Sequence, residues 1–250
     1  MNFKVIFAAA SLLATQAFAI AGIGFHYSPN VGTTLKTGKS APLKVNDKEY
    51  PVEFSHGDFD YIQGFGFKAW VDILPFIDIE GTFNIQFASY NATLWAGDEK
   101  IPLEIELGGT PFAKATPKFI AMNADISVTK PFSIPLFPIR PYVGAGLTIF
   151  WNTFILNNSF VEGVLKDAKI GDEGSAKEIA DALAKNVVDA AKEKGLNKSV
   201  GFHLLAGARF KLPIIPIAAY ANVKVYLGGD YDSDIDAGHV AFELGGGFAL

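Results

Sequence analysis

The stretch "IDIEGTFNIQFA" (residues 77–88) alternates from end to end. Ile77, Ile79, Gly81, Phe83, Ile85 and Phe87 share one face, and Asp78, Glu80, Thr82, Asn84, Gln86 and Ala88 share the other. Successive side chains of a strand point to opposite sides. This segment therefore reads as a strand with an oily environment on one side and a polar one on the other. Its length also suits a tilted strand crossing hydrocarbon, which takes ~9–11 residues.

Seven more segments read the same way. They are "AGIGFHYS" (21–28), "GFGFKAWVDI" (64–73), "IAMNADISVT" (120–129), "YVGAGLTIFW" (142–151), "FHLLAGARFK" (202–211), "AYANVKVYL" (219–227) and "HVAFELGGGFAL" (239–250). In each, one face carries only apolar residues and glycine, in a chain that is 19% charged and rich in Phe (22) and Gly (25). The connections alternate too. Short proline-rich links follow Ile73, Thr129 and Lys211, while long loops occupy 29–63, 89–119 and 152–201, with a shorter one at 228–238. Short turns on one side and long loops on the other describe an antiparallel meander. In lipid a sheet cannot leave an open edge, because unpaired backbone groups have no water to bond. The last strand is therefore expected to pair with the first, which gives the apolar end "AFELGGGFAL" (241–250) a partner.

The fold class expected is all-β: an eight-stranded antiparallel up-and-down transmembrane β-barrel, with one helix in a long extracellular loop. Aromatic residues near strand ends suit interfacial girdles: Tyr27, Tyr61, Tyr90 and Trp151 towards the long loops, Phe76, Phe132 and Phe137 towards the turns. Two alternatives stay open. A soluble β-sandwich also alternates, but its apolar faces would need partners in two layers while the opposite faces carry charge. A ten-strand count would recruit "IPLEIEL" (101–107), which is short for a crossing and reads as a loop extension.

Residues 1–19 stand apart. Lys4, the apolar run "VIFAAASLLA" and "AFA" at 17–19 have the layout of a cleaved secretory signal peptide. The expected mature domain is a single barrel, 20–250. With no cysteine, disulfides and thiolate sites are excluded. A net charge of −5 without a basic cluster argues against nucleic acid.

With these segments in place, the chain resembles the small eight-stranded outer-membrane barrels of the OmpA, OmpX and OmpW kind. The end "ELGGGFAL" is similar to that class's C-terminal assembly signal, carried here by Glu243, Gly245, Phe248 and Leu250, with Leu where an aromatic residue is usual. "IRPYVGAGL" (139–147) looks like its strand openings. The resemblance implies outer-membrane localisation, contact with outer-membrane lipid and delivery by the barrel assembly machinery. It names a fold and an assembly route, not an activity.

Four groups of residues are candidates for function. The inward set contains Lys68, Arg209, Lys211 and Lys224 against Asp72, Asp78, Glu80, Asp125 and Glu243, with Trp70, Tyr142, Phe150, Tyr226 and many glycines. An eight-stranded barrel is just wide enough for side chains, and charges removed from water need partners. The expectation is a packed ion-pair core; a gate that leaks small solutes is the alternative. The second group is "SAKEIADALAKNVVDAAKEKG" (175–195), whose Ser175 and Glu178 form a capping box and whose Ile179, Ala180, Leu183, Ala184, Val187, Val188 and Ala191 form a stripe. This helix is too large for the lumen. Its stripe either packs on other loops or offers residues 175–194 to an extracellular partner.

Third, Asp230, Asp232, Asp234 and Asp236 stand at every second position, and Asp232, Asp234, Asp236 and Glu243 keep calcium-loop offsets, although Ala237 stands where the turn wants Gly; a solvated acidic tip is the plainer reading. Fourth, His26 and Ser28 form an H-x-S pair that loosely resembles the outer-membrane lipid A deacylases. In that family the pair faces lipid, whereas the register here turns both inward. The functional expectation is a non-enzymatic envelope or surface-loop-display protein without cofactor or metal. The alternatives are a narrow channel or carrier for small, perhaps apolar, solutes, as the OmpW resemblance implies, and a lipid A-modifying enzyme.

Overall fold

In a computed structural model the described residues are 21–37, 42–45, 47–72, 76–106, 114–132, 138–168, 174–211, 215–238 and 240–249. Residues 1–20, Phe137 and Leu250 lie outside them, and with them the signal-peptide reading, one girdle residue and the last residue of the assembly signal.

Eight strands form the barrel: β1 (Ala21–Tyr27), β2 (Gln63–Val71), β3 (Asp78–Ser89), β4 (Lys118–Pro131), β5 (Ile139–Asn152), β6 (Asn197–Lys211), β7 (Ile217–Gly228) and β8 (Val240–Ala249). Each pairs antiparallel with its neighbour in sequence, and β8 pairs with β1, so the sheet closes. At the seam Gly24 lies opposite Gly247 on β8 and opposite Lys68 on β2. The close approach there is why glycine occupies 247: a Cβ on it would stand 2.1 Å from the Ile23 carbonyl oxygen.

Alternation sorts the side chains. Ile23, Phe67, Ile126, Leu204 and Leu244 are among a continuous outer belt of exposed large apolar residues; Leu244 is 69% exposed. Leaving such a side chain in water rather than an apolar medium costs roughly 1.5–3 kcal/mol each, so a belt running round all eight strands demands an apolar covering. Asp78, Glu80, Asn84, Lys68, Lys224 and Glu243, on the opposite parity, are buried.

The largest apolar core is not in the barrel. Residues 42–45, 48–56, 92–96 and 99–102 form a separate four-stranded antiparallel sheet from the first two long loops. Asp47 takes the left-handed conformation (φ 64°) that its tight turn requires. Two helices from the third loop, α1 (Asn158–Asp167) and α2 (Ala176–Glu193), pack on this sheet and on each other. Leu43, Val52, Phe54, Leu94, Ile155, Leu156, Leu165, Ile179, Leu183 and Val187 are buried together, and the cluster runs down to Ile62, Ala88 and Phe119 at the barrel rim. Both helices are capped. Asn157 Oδ1 accepts from the Phe160 amide (2.9 Å) on α1. Ser175 and Glu178 complete the reciprocal box expected on α2.

Several expectations are corrected here. The third loop holds two helices rather than one, and of the two readings of the α2 stripe the structure has it packed on the other loops. The expected strand count holds: Ile101 and Pro102 belong to the cap sheet as a loop extension, and the barrel has eight strands. Tyr90 is buried in the cap core instead of sitting in a girdle, whereas Tyr61, Phe76 and Phe132 are exposed near strand ends. The acidic stretch after β7 is no free tip: residues 235–236 pair with 34–35, and Ile235 is buried.

Candidate functional site

Parity along each strand delivers the charged side chains to the lumen, and there they meet. At the turn end, Arg140 of β5 bonds Asp72 (2.7 Å) and Asp78 (3.2 Å). Arg209 of β6 bonds Asp72 (3.1 Å) and Glu80 (2.5 Å), and its guanidinium lies 4.6 Å over the Trp70 ring. Lys68 of β2 bonds Glu80 (2.5 Å) and donates to the Tyr142 hydroxyl (2.9 Å).

Midway along the lumen, Lys224 of β7 bridges Asp125 and Glu243, at 2.7 Å each. The two tiers are joined. Tyr142 donates to Asn222 Oδ1, and Asn222 Nδ2 donates to Glu243 (2.7 Å). Tyr226 donates to Asp125 (3.0 Å). The network thus runs without a break from Asp72 to Asp125. Desolvated charges persist only when partners replace water. Among the described residues, four buried cations (Lys68, Arg140, Arg209, Lys224) face five carboxylates (Asp72, Asp78, Glu80, Asp125, Glu243).

Arg140 is the member that reading the sequence missed. It is two residues before Tyr142 and shares its parity, so extending that segment to 139 reveals it. The neutral members Asn84 and Asn222, both bonded to Glu243, carry no charge pattern to betray them. Lys211, on the inward parity, is partly exposed at the strand end and makes no ion pair among the described residues.

The histidines are held on both sides. His26 Nδ1 meets the Tyr220 hydroxyl (3.0 Å) and Nε2 meets Asn84 Oδ1 (2.6 Å). His203 lies between Ser127 Oγ (2.7 Å) and Thr148 Oγ1 (2.8 Å). Ser28 is fully buried, and among the described residues its Oγ has no hydrogen-bond partner. The H-x-S pair therefore lies in the lumen, with its imidazole bonded to Tyr220 and Asn84 rather than to Ser28.

The calcium constellation is not assembled. Glu243 is bound to Lys224 inside the barrel, while Asp232 accepts from Asn157 Nδ2 (3.0 Å) in the cap. Asp230 and Asp234 bond through their backbones, to Asn152 and Lys36. Among the described residues no three acidic or histidine side chains gather as a metal site.

Of the assembly-signal residues, Glu243 belongs to the network and Phe248 is exposed on the outer belt. Gly245 leaves room for the His26 and Tyr220 side chains.

At the long-loop end a recess lined by Asn30, Gln86, Asn123, Phe150 and Tyr226 has room for about one water molecule. Burial pushes the phenol of Tyr231, which also lines the recess, up to about 12 and the Tyr90 phenol still further. Both stay neutral at physiological pH; the Tyr90 oxygen accepts from the Leu156 amide (3.0 Å) and ties β3 to the loop that leads into α1.

No protein-family description and no curated protein sequence matches this chain. Among solved structures it is similar to the outer membrane protein OprG from Pseudomonas aeruginosa, at 11% identity and a TM-score of 0.44, over 94% of this chain and 98% of that one. It is similar to the N-terminal β-barrel domain of OprF from the same organism, at 9% identity and 0.42, over 93% and 98%. It is also similar to Ail, the attachment invasion locus protein of Yersinia pestis, in complex with the heparin analogue sucrose octasulfate, at 10% identity and 0.43, over 93% and 99%. Likeness at this level is likeness of chain course, and no role is carried over from these proteins.

Proposed function

We propose that this chain is a non-enzymatic outer-membrane barrel whose lumen is a sealed strut and whose long loops display a folded cap at the cell surface. The single observation that supports this most is the continuous buried ion-pair network from Asp72 to Asp125, spanning the space a pore would need. The apolar belt supplies the membrane half of the reading. The secretory layout of residues 1–19 and the assembly-signal resemblance of Glu243, Gly245, Phe248 and Leu250 supply the route: export, then insertion by the barrel assembly machinery.

A sealed lumen separates this reading from a channel. Opening one would require the Lys224–Asp125 and Lys224–Glu243 bonds to break together, leaving three charges unpaired in a low-dielectric interior. The apolar stripe of α2 is spent on the cap, so a surface partner would meet the helix's polar face.

The deciding experiment is conductance in planar bilayers, with insertion verified independently by protease protection of the barrel. No steady unitary steps are expected. Reproducible single-channel steps from inserted protein would overturn the sealed-strut reading.

A further inference from the structure

We infer that the recess at the long-loop end of the lumen is a binding site for one small monovalent cation, of the sodium or potassium class. This goes beyond the sealed-strut reading and stands whether or not the lumen conducts.

Four carboxamides line the recess, those of Asn30, Gln86, Asn123 and Asn152, with Phe150 and Tyr226 in the rest of its wall. Its chemistry follows from which end of each carboxamide is already engaged. Asn152 Nδ2 donates to the Asp230 carbonyl (3.1 Å), and Gln86 Nε2 donates to the Ser28 carbonyl (3.3 Å). Asn123 Nδ2 donates to Asp125 Oδ1 and to the Tyr226 hydroxyl, at 3.0 Å each. Asn30 Nδ2 donates to Gln86 Oε1 (3.2 Å). Backbone carbonyls and carboxylates only accept, so these partners fix the orientation of the Asn152, Gln86 and Asn123 amides.

With every amide nitrogen engaged, oxygen is what the carboxamides have left to offer a ligand. Asn152 is the sharpest case. It is 1% exposed, and among the described residues its Oδ1 has no hydrogen-bond partner. A buried acceptor is costly unless a donor or a cation meets it. The Tyr226 hydroxyl does not supply that donor, because it donates to Asp125 Oδ2 (3.0 Å).

Charge is the second, independent observation. Among the described residues the lumen buries five carboxylates against four lysine and arginine side chains, a surplus of one negative charge. The surplus falls in the tier next to the recess, where Lys224 serves both Asp125 and Glu243. Lys224 holds Asp125 Oδ2, whereas Oδ1 is held by the Asn123 amide that also lines the recess. No lysine, arginine or histidine is among the described residues of the recess wall.

Water satisfies a bare oxygen but does not offset a buried charge; a cation does both. Carbonyl oxygens suit hard cations, and a single positive charge matches the surplus. Room for about one water molecule admits a bare alkali ion and keeps organic ammonium ions out. A proton on His26, whose Nε2 lies 3.9 Å from Glu243, is the rival source of the missing charge.

The test compares salts. The full mature chain is reconstituted in phosphatidylcholine vesicles, and reversible urea unfolding is followed at about pH 8, above the ordinary histidine range. Sodium, potassium and N-methylglucamine chlorides are used at equal ionic strength, which holds screening constant. A ligand that binds only the folded state raises the folding constant. The expected constant is about fivefold or more higher in sodium or potassium chloride than in the organic salt. That advantage is expected to disappear in Asn152→Leu, which removes the bare oxygen. It is also expected to disappear in Glu243→Gln, which removes the surplus charge and leaves the recess oxygens. Each variant is read as a ratio between salts, so its own loss of stability cancels. Crystals grown in rubidium chloride are expected to show an anomalous peak beside Asn152 Oδ1, a readout that stands even where a variant fails to fold.

Equal folding constants in the inorganic and organic salts would overturn the inference. So would an undiminished advantage in either variant. A well-ordered water beside Asn152 with no anomalous signal would do the same, and would make water the occupant.

Discussion

Replacing Lys224 with methionine tests whether the lumen is held by its charges. Lys224 is fully buried and, among the described residues, is the one cation bonded to both Asp125 and Glu243, at 2.7 Å each. Methionine keeps most of the volume but leaves two desolvated carboxylates without that cation. Removing one partner from a buried ion pair typically costs ~3–5 kcal/mol, a shift in the folding equilibrium of roughly a hundredfold to a few thousandfold. The same reasoning makes an opposite claim about the triple variant Lys224→Met/Asp125→Asn/Glu243→Gln. With the charges removed together and the amides still able to bond Tyr226 and Asn222, most of the loss is expected to be recovered. Reversible urea unfolding of the protein in vesicles, followed by tryptophan fluorescence, measures both. A single variant within about 1 kcal/mol of wild type, or a triple variant no better than the single, would refute the claim that desolvated charge governs this core.

Further outcomes are expected at the seam, the belt, the cap core and the α2 capping box. Gly247→Ala should cost at least ~1–3 kcal/mol, because its methyl would strike the Ile23 backbone, while Gly246→Ala next to it, with its nearest atom at 3.5 Å, should be near neutral in the same assay. Phe67→Arg, at an outward position 64% exposed, should reduce insertion into vesicles by a ~2–4 kcal/mol penalty; unaltered insertion would mean that hydrocarbon does not cover that face. Leu183→Ala empties a fully buried site and should destabilise the cap by ~2–5 kcal/mol, seen as protease cleavage within 42–56 and 158–193 while the barrel stays protected. Ser175→Ala should loosen the first turn of α2 by ~0.5–2 kcal/mol, read by amide exchange. The Glu178 side of the same box depends on pH. Its carboxyl is held below the usual range by the Ser175 amide, so its stabilisation is complete above ~4.3 and fades as pH falls through the depressed folded value. Faster exchange of that turn in acid, absent in Glu178→Gln, is the expected signature.

Much of the barrel was legible before any coordinates, and the reason is local. In a strand the face of residue i fixes the face of i+2, so the belt from Ile23 to Phe248 and the inward charges from Lys68 to Glu243 follow from parity alone. The same rule turned His26 and Ser28 inward, where the structure places them. Arg140 lies on the same parity, two residues before Tyr142, and so outside a segment that opens at Tyr142. The cap was harder. Its strands are short, from four to nine residues, and separated along the chain. Alternation over so few positions does not announce which stretch it pairs with. Tyr90 shows the consequence. Proximity to a strand end suggested an interface, but a hydroxyl bond to Leu156, 66 residues away, made it core.

The sequence by itself determined the strands, their inner and outer faces, and the closure that gives β8 a partner, because each follows from a period of two and from the need to satisfy every backbone group. Tertiary structure alone decided which cation meets which carboxylate, that three loops condense around one capped sheet, and that the acidic run after β7 pairs with residues 34–35 and buries Ile235 in the same core. Those outcomes depend on distances between residues far apart in the chain, and periodicity carries no information about such distances.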